Sequence, residues 1–278
     1  MDWTHRRGAL RLRTPVIMGI LNVTPDSFSD GGLFLEPDVA FAQADRLIAD
    51  GAGIIDVGGE STRPGAIPVS APVQIARVVP VIRALRERSD VPISVDTTSA
   101  QVALAALEAG ADIINDISGA TFDPDMLDVV RQWGAGLVLS HTPARPEVMM
   151  QHVMSGDVVR QVMHFLRERL LACHQHGIHP AQLVVDPGLG FGKSPADNVL
   201  LMRNSETLER ATGRPVLVGI SRKRTVRHFC GDTPQAIAEG TTAFETLALA
   251  SGARIVRTHD VNAAVCARNA VAAWSATM

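Results

Sequence analysis

"VVDPGLGFGKS", residues Val184 to Ser194, can be read as a phosphate-cradling loop or as a strand that ends in an aspartate and a glycine-rich turn. The choice decides the fold. A Walker loop needs four residues between its first glycine and Gly-Lys-Ser, which would put a glycine at Pro187; the dinucleotide pattern would need one at Lys193. Both templates miss by one residue, and Pro187 has no N–H to offer a phosphate. Val184 and Val185 then read as a buried strand with Asp186 at its end. Ser194 or Asp197 is placed to cap the following helix.

The same arrangement recurs along the chain. Short β-branched runs bounded by glycine or proline occur at Val16–Leu21, Gly53–Val57, Pro92–Val95, Asp112–Ile114, Gly136–Leu139, Leu183–Val185, Pro215–Ile220 and Arg254–Val256. Alanine- and leucine-rich stretches of helical spacing lie between them, such as Asp38–Asp50, Gln101–Ala109, Val158–His176 and Thr241–Ser251. Apolar strands alternating with helices mean a parallel sheet covered by helices, and eight such units in about 250 residues predict a closed (β/α)₈ barrel of the TIM type. A doubly wound open sheet is the other arrangement this alternation allows. No linker, low-complexity tract or charge block divides the sequence, so residues 1–278 read as a single domain.

Composition narrows the function. The chain has 278 residues, 46% of them hydrophobic, and a net charge of −3 with acids and bases interspersed. That charge gives no basis for a nucleic-acid groove or a polybasic membrane anchor, and points to a small-molecule substrate. Three dispersed cysteines, Cys173, Cys230 and Cys266, predict reduced thiols in a cytoplasmic protein. Arg6, Arg7, Arg11 and Arg13 precede the apolar run Val16–Leu21, but the run is too short for a signal peptide and lacks a cleavage site. No stretch approaches the roughly 18 apolar residues of a membrane span.

Each strand is followed by a polar or charged residue: Asn22, Asp56, Asp96, Asn115 with Asp116, His141, Asp186, Ser221 to Arg224, and Arg257 with His259. In a barrel these ends converge on one face, where such folds place their chemistry. Asp96, Asn115 and Asp186 suit a planar heterocycle with amide and amino edges, resembling guanine or a pterin, and Phe191 could wall a second ring. Arg63, Lys223, Arg257 and His259 predict an anionic ligand, with Arg257 and His259 suited to phosphate or pyrophosphate. Salt bridges to Asp30, Asp260 or Glu60 would be the plainer use of those cations. His174, His176 and His179 are read as helix-terminating residues, with Gly177 at C′ and Pro180 as the stop. Met149, Met150 and Met154 are read as packing.

The segments Met18–Gly32, Ile54–Ala66, Ser94–Thr98, Asp112–Gly119, Val184–Ser194, Val216–Lys223 and Arg254–Val261 ("MGILNVTPDSFSDGG", "IIDVGGESTRPGA", "SVDTT", "DIINDISG", "VVDPGLGFGKS", "VLVGISRK" and "RIVRTHDV") together resemble the dihydropteroate synthase family, in order and over essentially the whole chain. The resemblance implies a (β/α)₈ barrel, usually a homodimer. It also implies a transferase that joins 6-hydroxymethyl-7,8-dihydropterin pyrophosphate to 4-aminobenzoate in folate synthesis and is a sulfonamide target.

Carried over by position, it assigns the pterin to Asp96, Asn115, Asp186 and Lys223, and pyrophosphate to Asn22, Arg257 and His259, with Asn22 also near Mg²⁺. It gives the aminobenzoate to Thr62, Arg63, Pro64, Gly190, Phe191 and Ser221, and the chemistry to Asp96, Lys223, Asp30 and Arg63. Asp30 and Arg63 would sit on mobile loops. Methyltetrahydrofolate-to-corrinoid methyltransferases share the barrel and pterin groups but need no pyrophosphate site. The chain departs from the family's pattern at Ser140–Ala144, after the fifth strand, and at Arg224–Arg227, after the Ser-Arg-Lys.

Overall fold

The computed structural model describes residues 1–24 and 37–276. The chain opens with an antiparallel hairpin, β1 (Asp2–His5) and β2 (Gly8–Arg11). Eight parallel strands follow: β3 (Val16–Asn22), β4 (Ile54–Gly58), β5 (Ile93–Asp96), β6 (Ile113–Asp116), β7 (Gly136–Ser140), β8 (Leu183–Asp186), β9 (Leu217–Val218) and β10 (Ile255–Thr258). Their order is β8-β7-β6-β5-β4-β3-β10-β9. A bridge between Val185 and Val216 and the bond from Val185 N–H to Pro215 O join the two ends, so the sheet closes as the predicted barrel.

Side chains alternate across each strand. Ile55, Val95, Ile114, Leu137 and Val256 pack outward into the layer shared with the helices. Met18, Ile54, Ile113, Val138, Val184, Leu217 and Ile255 form a separate apolar cluster inside the barrel. Trp3 and Leu12 of the hairpin region belong to that inner cluster, both essentially inaccessible. The hairpin therefore plugs the N-terminal end, and the Trp3 indole N–H donates to Gln182 O at 2.8 Å. The arginine-rich start of the sequence gave no hint of this plug.

Two residues beyond the apolar layer, the inward positions become Asp56, Asp96, Asn115, Ser140, Asp186 and Arg257. Strand period alone places them on the inward face. The seventh sequence run is trimmed to the two residues of β9, while Asn115 and Asp116 lie inside β6 rather than after it.

The histidine-rich segment terminates a helix, as expected. Helix Val158–Gln175 is capped by His176, and Gly177 follows with φ +78°. The His179 ring accepts from Ala181 N–H and caps the next short turn.

Candidate active site

Arg257 organises the polar layer. Its Nε donates to Asp56 Oδ2 at 2.6 Å and its Nη2 to Asp96 Oδ2 at 2.7 Å, while Asn115 Nδ2 donates to the same Asp56 oxygen at 3.0 Å. The sequence placed any Arg257 salt bridge on Asp30, Asp260 or Glu60; its partners are Asp56 and Asp96, two strands deep in the barrel. Asp56 carries no ligand assignment in the sequence reading. The signal was present, because Ile54, Asp56 and Gly58 share one face of β4.

Burial pushes the Asp96 carboxyl up to about 7, against the pull of Arg257, whose charge is shared with Asp56. Asp96 Oδ1 and Asp56 Oδ1 are buried without a hydrogen-bond partner among the described residues. Burial also raises the Asp186 carboxyl, opposed by Lys223, and Asp186 Oδ1 accepts the Gly188 N–H at 2.7 Å. Lys223, lowered to about 8 by burial, donates to Leu189 O and lies 4.3 Å above the Phe191 ring. Arg222, one residue earlier, takes φ +58°, an arginine in the left-handed region that costs about 1–2 kcal/mol and turns the chain toward this mouth.

The loop that opened the sequence is a pocket wall. Gly188 has φ +67°, and a Cβ there would stand 1.9 Å from His141 O, so only glycine fits; at Gly190 a Cβ would meet Lys223 Cδ at 2.9 Å. The lysine of Gly-Lys-Ser is turned inward. Lys193 Nζ lies 2.9 Å from His141 Nδ1, 3.2 Å from His141 O, 2.9 Å from Gly188 O and 3.0 Å from Phe191 O. Burial lowers Lys193 to about 7, and burial with the Lys193 charge lowers His141 to about 3. Ser194 caps helix Pro195–Arg203 with Asp197 in a capping box, so the N–H groups of this end serve the loop itself.

The two departures from the family pattern are absorbed by the same wall. His141 packs edge-on against Phe165, and Thr142 Oγ1 donates to Ala144 O. Asn198 accepts the Gly190 N–H at 2.8 Å and donates to Thr225 Oγ1 at 2.9 Å, tying the 224–227 segment to the glycine loop. Arg224 is exposed beside Met150.

At the end of β10, Ser221 Oγ lies 2.9 Å from His259 Nδ1 and accepts the His259 backbone N–H at 3.2 Å. The sequence treated His259 as a cation. Burial, reinforced by Arg222, Arg257, Arg63 and Lys223, lowers its ring to about 3, so it is neutral near pH 7. Arg63 is exposed, and Gly65 N–H holds its loop to Pro146 O. Thr62 lines a cavity of about 220 Å³ with Glu60, Asp96, Thr97 and Arg145. Pro64 is exposed on the same loop. Asn22 ends β3 beside Gly58, where an added Cβ would lie 3.6 Å from both Asn22 Oδ1 and Asp96 Cβ. Asp30 lies outside the described residues. The structure thus gathers Asn22, Asp96, Asn115, Asp186, Lys223, Arg257, His259 and Ser221 at one end of the barrel, with Arg63 at its rim.

Comparisons with known proteins agree with this geometry. Residues 18–259 match the family model described as pterin binding enzyme. A dihydropteroate synthase of Synechocystis is 45% identical over 248 residues, spanning 89% of this chain and 86% of the relative. The Yersinia pestis dihydropteroate synthase, solved with a sulfonamide drug complex, superposes with a TM-score of 0.93 at 40% identity, covering 99% of this chain and 100% of that one. The Xanthomonas albilineans enzyme with 4-aminobenzoic acid superposes at 0.88 and 42% identity, covering 97% and 95%.

Proposed function

We infer, for a chain that belongs to the pterin-binding enzyme family and within it to the dihydropteroate synthases, that this barrel mouth joins 6-hydroxymethyl-7,8-dihydropterin pyrophosphate to 4-aminobenzoate, forming 7,8-dihydropteroate and pyrophosphate. The chain is a transferase of folate biosynthesis. The observation that carries the site assignment is the inward polar layer above a closed apolar floor: Asp96, Asn115 and Asp186 are buried hydrogen-bonding groups, Asp96 with one oxygen unpartnered among the described residues, flanked by Arg257 and Lys223.

Asp186 and Asn115 would read the amino and ring N–H edge of the pterin, with Lys223 against the ring system beside Phe191. The Arg257 charge is held by Asp56 and Asp96; a pyrophosphate at the mouth would compete for it, with a neutral His259 as a further donor. The C–O bond to pyrophosphate breaks first, its electron pair leaving on oxygen, and the Asp96 carboxylate faces the methylene cation that remains. The arylamine lone pair then forms the C–N bond and the amine gives up a proton. A neutral aromatic amine needs no strong base. Thr62, Arg63, Pro64, Gly190, Phe191 and Ser221 would hold the aminobenzoate, the ligand present in the Xanthomonas enzyme.

Mg²⁺ fits the mouth: the Asn22 side-chain oxygen stands over the gap left by Gly58, next to the strand position of Asp96, and this ion takes one or two protein oxygens with the rest from phosphate and water. Asn22 would hold the ion there, and the chemistry it would supply is neutralisation of charge on the leaving pyrophosphate. A cytoplasmic homodimer is also proposed. Three unpaired cysteines support the first, and exposed Phe229 and Leu247 on the packed helices Arg224–Cys230 and Pro234–Ala250 support the second. Among the described residues, no helix is long and apolar enough to cross a membrane.

A pyrophosphate-release assay with pterin pyrophosphate, with and without 4-aminobenzoate, tests the reaction. Release that depends on both substrates is expected. Pterin binding without turnover would make the chain a non-catalytic pterin-binding paralogue.

A further inference from the structure

Glu245 is an acid in a place the reaction does not explain. It lies on helix Pro234–Ala250, fully buried, and among the described residues neither carboxyl oxygen meets a partner at hydrogen-bonding geometry. One turn earlier on the same face, Thr241 Oγ1 accepts the Arg222 N–H at 3.1 Å, so this face of the helix supports the 221–223 loop. On β10, Arg257 points into the barrel and Thr258 points outward toward that helix. Thr258 is fully buried, and its hydroxyl is the side-chain group that eases ionisation of Glu245.

The hydrogen bonds from Thr258 lead to the anion site. Thr258 Oγ1 accepts the Asp260 N–H at 3.2 Å and lies 3.4 Å from Ser221 Oγ, which in turn lies 2.9 Å from His259 Nδ1 and accepts the His259 N–H. A hydroxyl has one proton to give and two lone pairs to receive with. We propose that Glu245, as a neutral carboxylic acid, is a positioning residue that fixes the direction of this chain and thereby holds His259 in its Nε2–H tautomer.

The protons balance at every link. With the Glu245 O–H turned onto Thr258 Oγ1, the lone pairs of Thr258 are filled by Glu245 and the Asp260 N–H, so its own proton goes to Ser221. The lone pairs of Ser221 are then filled by Thr258 and the His259 N–H, so its proton goes to His259 Nδ1. The imidazole must carry its remaining proton on Nε2, for which no hydrogen bond is found among the described residues.

An ionised Glu245 would instead take the Thr258 proton, leaving Ser221 free to donate back to Thr258 and His259 free to become Nδ1–H. The neutral acid is favoured by burial, which raises Glu245 to about 8, and by the Asp260 carboxylate at the start of helix Val261–Ser275, the charged neighbour that acts on it. The catalytic meaning of a fixed Nε2–H rests on the reading that His259 donates to pyrophosphate; the tautomer itself does not.

Nitrogen NMR of the His259 ring in the full-length protein, without substrate, tests the tautomer directly at pH 7. Wild type is expected as Nε2–H, Glu245→Gln as the same because its amide N–H can still donate to Thr258, and Glu245→Leu as a mixture. Thr258→Val breaks the next link and is expected to match Glu245→Leu; it carries the test should Glu245→Leu not fold.

In turnover, Glu245→Leu is expected to raise KM for the pterin pyrophosphate about two- to tenfold, the value of one net hydrogen bond, and Glu245→Gln to restore it. Adding Thr258→Val to Glu245→Leu should cost nothing more. A purely packing role would shift melting temperature in these variants without moving the tautomer or KM. An unchanged tautomer in Glu245→Leu or Thr258→Val, or a Glu245→Gln that behaves like Glu245→Leu, overturns the proposal. A protein inactive on both substrates with the expected tautomers would leave it standing and fail the functional reading instead.

Discussion

The two ends of the barrel are built from the same strands and have opposite chemistry. At the N-terminal end, Ile54, Ile113, Val138, Val184 and Ile255 pack against Trp3 and Leu12, and the indole N–H that enters this layer has its partner. Two residues further along the strands, about 7 Å away, Asp56, Asn115, Asp186 and Arg257 replace them, and Asp56 and Asp96 each keep a buried carboxylate oxygen unpaired. The hairpin end is filled by apolar side chains, whereas the open end carries buried carboxylate oxygens that a ligand can engage. A layer of buried charge at the mouth is the ordinary cost of a binding site in a fold that is otherwise a packed core.

Replacing the residue at the centre of the open end should have the largest effect. Arg257→Ala leaves two buried carboxylates without their cation and is expected to cost about 3–5 kcal/mol of stability at neutral pH, measured by urea unfolding. The cost should shrink at lower pH. Without the guanidinium, Asp96 rises further above its unfolded pKa, so the folded chain binds more protons than the unfolded one, and stability falls as pH rises through that window. The variant should also lose affinity for the pyrophosphate-bearing pterin more than for free hydroxymethyl pterin. Equal losses would move the anion site away from β10.

Trp3→Ala at the closed end is expected to cost a similar amount, about 3–5 kcal/mol, by emptying a fully buried site. The two variants then separate on kinetics. With folded protein at a temperature well below its transition, Trp3→Ala should keep KM for both substrates, whereas a raised KM would show that the plug and the mouth are coupled.

Much of the barrel could be read from residues alone, because eight apolar runs each ended in a polar residue and parallel strands leave few other arrangements. The hairpin could not be read, since four arginines in the first 13 residues mask Trp3 and Leu12, whose burial is decided by the barrel floor they meet. Within the site, single residues at strand ends were visible and pairings were not. Asp56 lies mid-run and reads as a polar interruption until strand period puts it on the face of Asp96 and Arg257. Lys193 and His141 were invisible as a pair because 52 residues separate them, and Glu245 because nothing in a helix sequence announces which buried face an acid will occupy.

Asp186→Asn probes the open end at one hydrogen-bonding group. It preserves shape, keeps an acceptor for the Gly188 N–H, and exchanges a charged acceptor for a half-donor facing the pterin. Pterin affinity, measured by calorimetry, should fall by about 1.5–3 kcal/mol, the range for hydrogen bonds to charged groups. Stability should change little or improve, since burial raises the carboxyl of Asp186 and the fold bears that cost without ligand. Unchanged affinity would remove Asp186 from the pterin site and shift the contrast between the ends onto Asp96 and Asn115.

The smallest effect concerns His259, where the structure reverses an expectation drawn from sequence. As an imidazolium it would lose importance as pH rises through 6 to 8. Its ring is lowered to about 3, and an opposite charge within a few ångströms raises a pKa by about 1–3 units, which leaves it mainly neutral at pH 7 even with pyrophosphate bound. His259→Ala should therefore cost about 0.5–1.5 kcal/mol of pyrophosphate-substrate affinity, the value of a neutral hydrogen bond, and the cost should be flat from pH 7 to 8. The stability side has a definite sign. Between the folded value near 3 and the unfolded value near 6.5 the unfolded chain binds the proton, so this residue makes stability rise with pH across that window, with a slope of up to about 1.4 kcal/mol per pH unit. His259→Asn should remove that part of the slope. A binding penalty that fades between pH 7 and 8 would instead show that the ligand draws a proton onto the ring, and that the open end of the barrel is tuned by its substrate rather than set before it arrives.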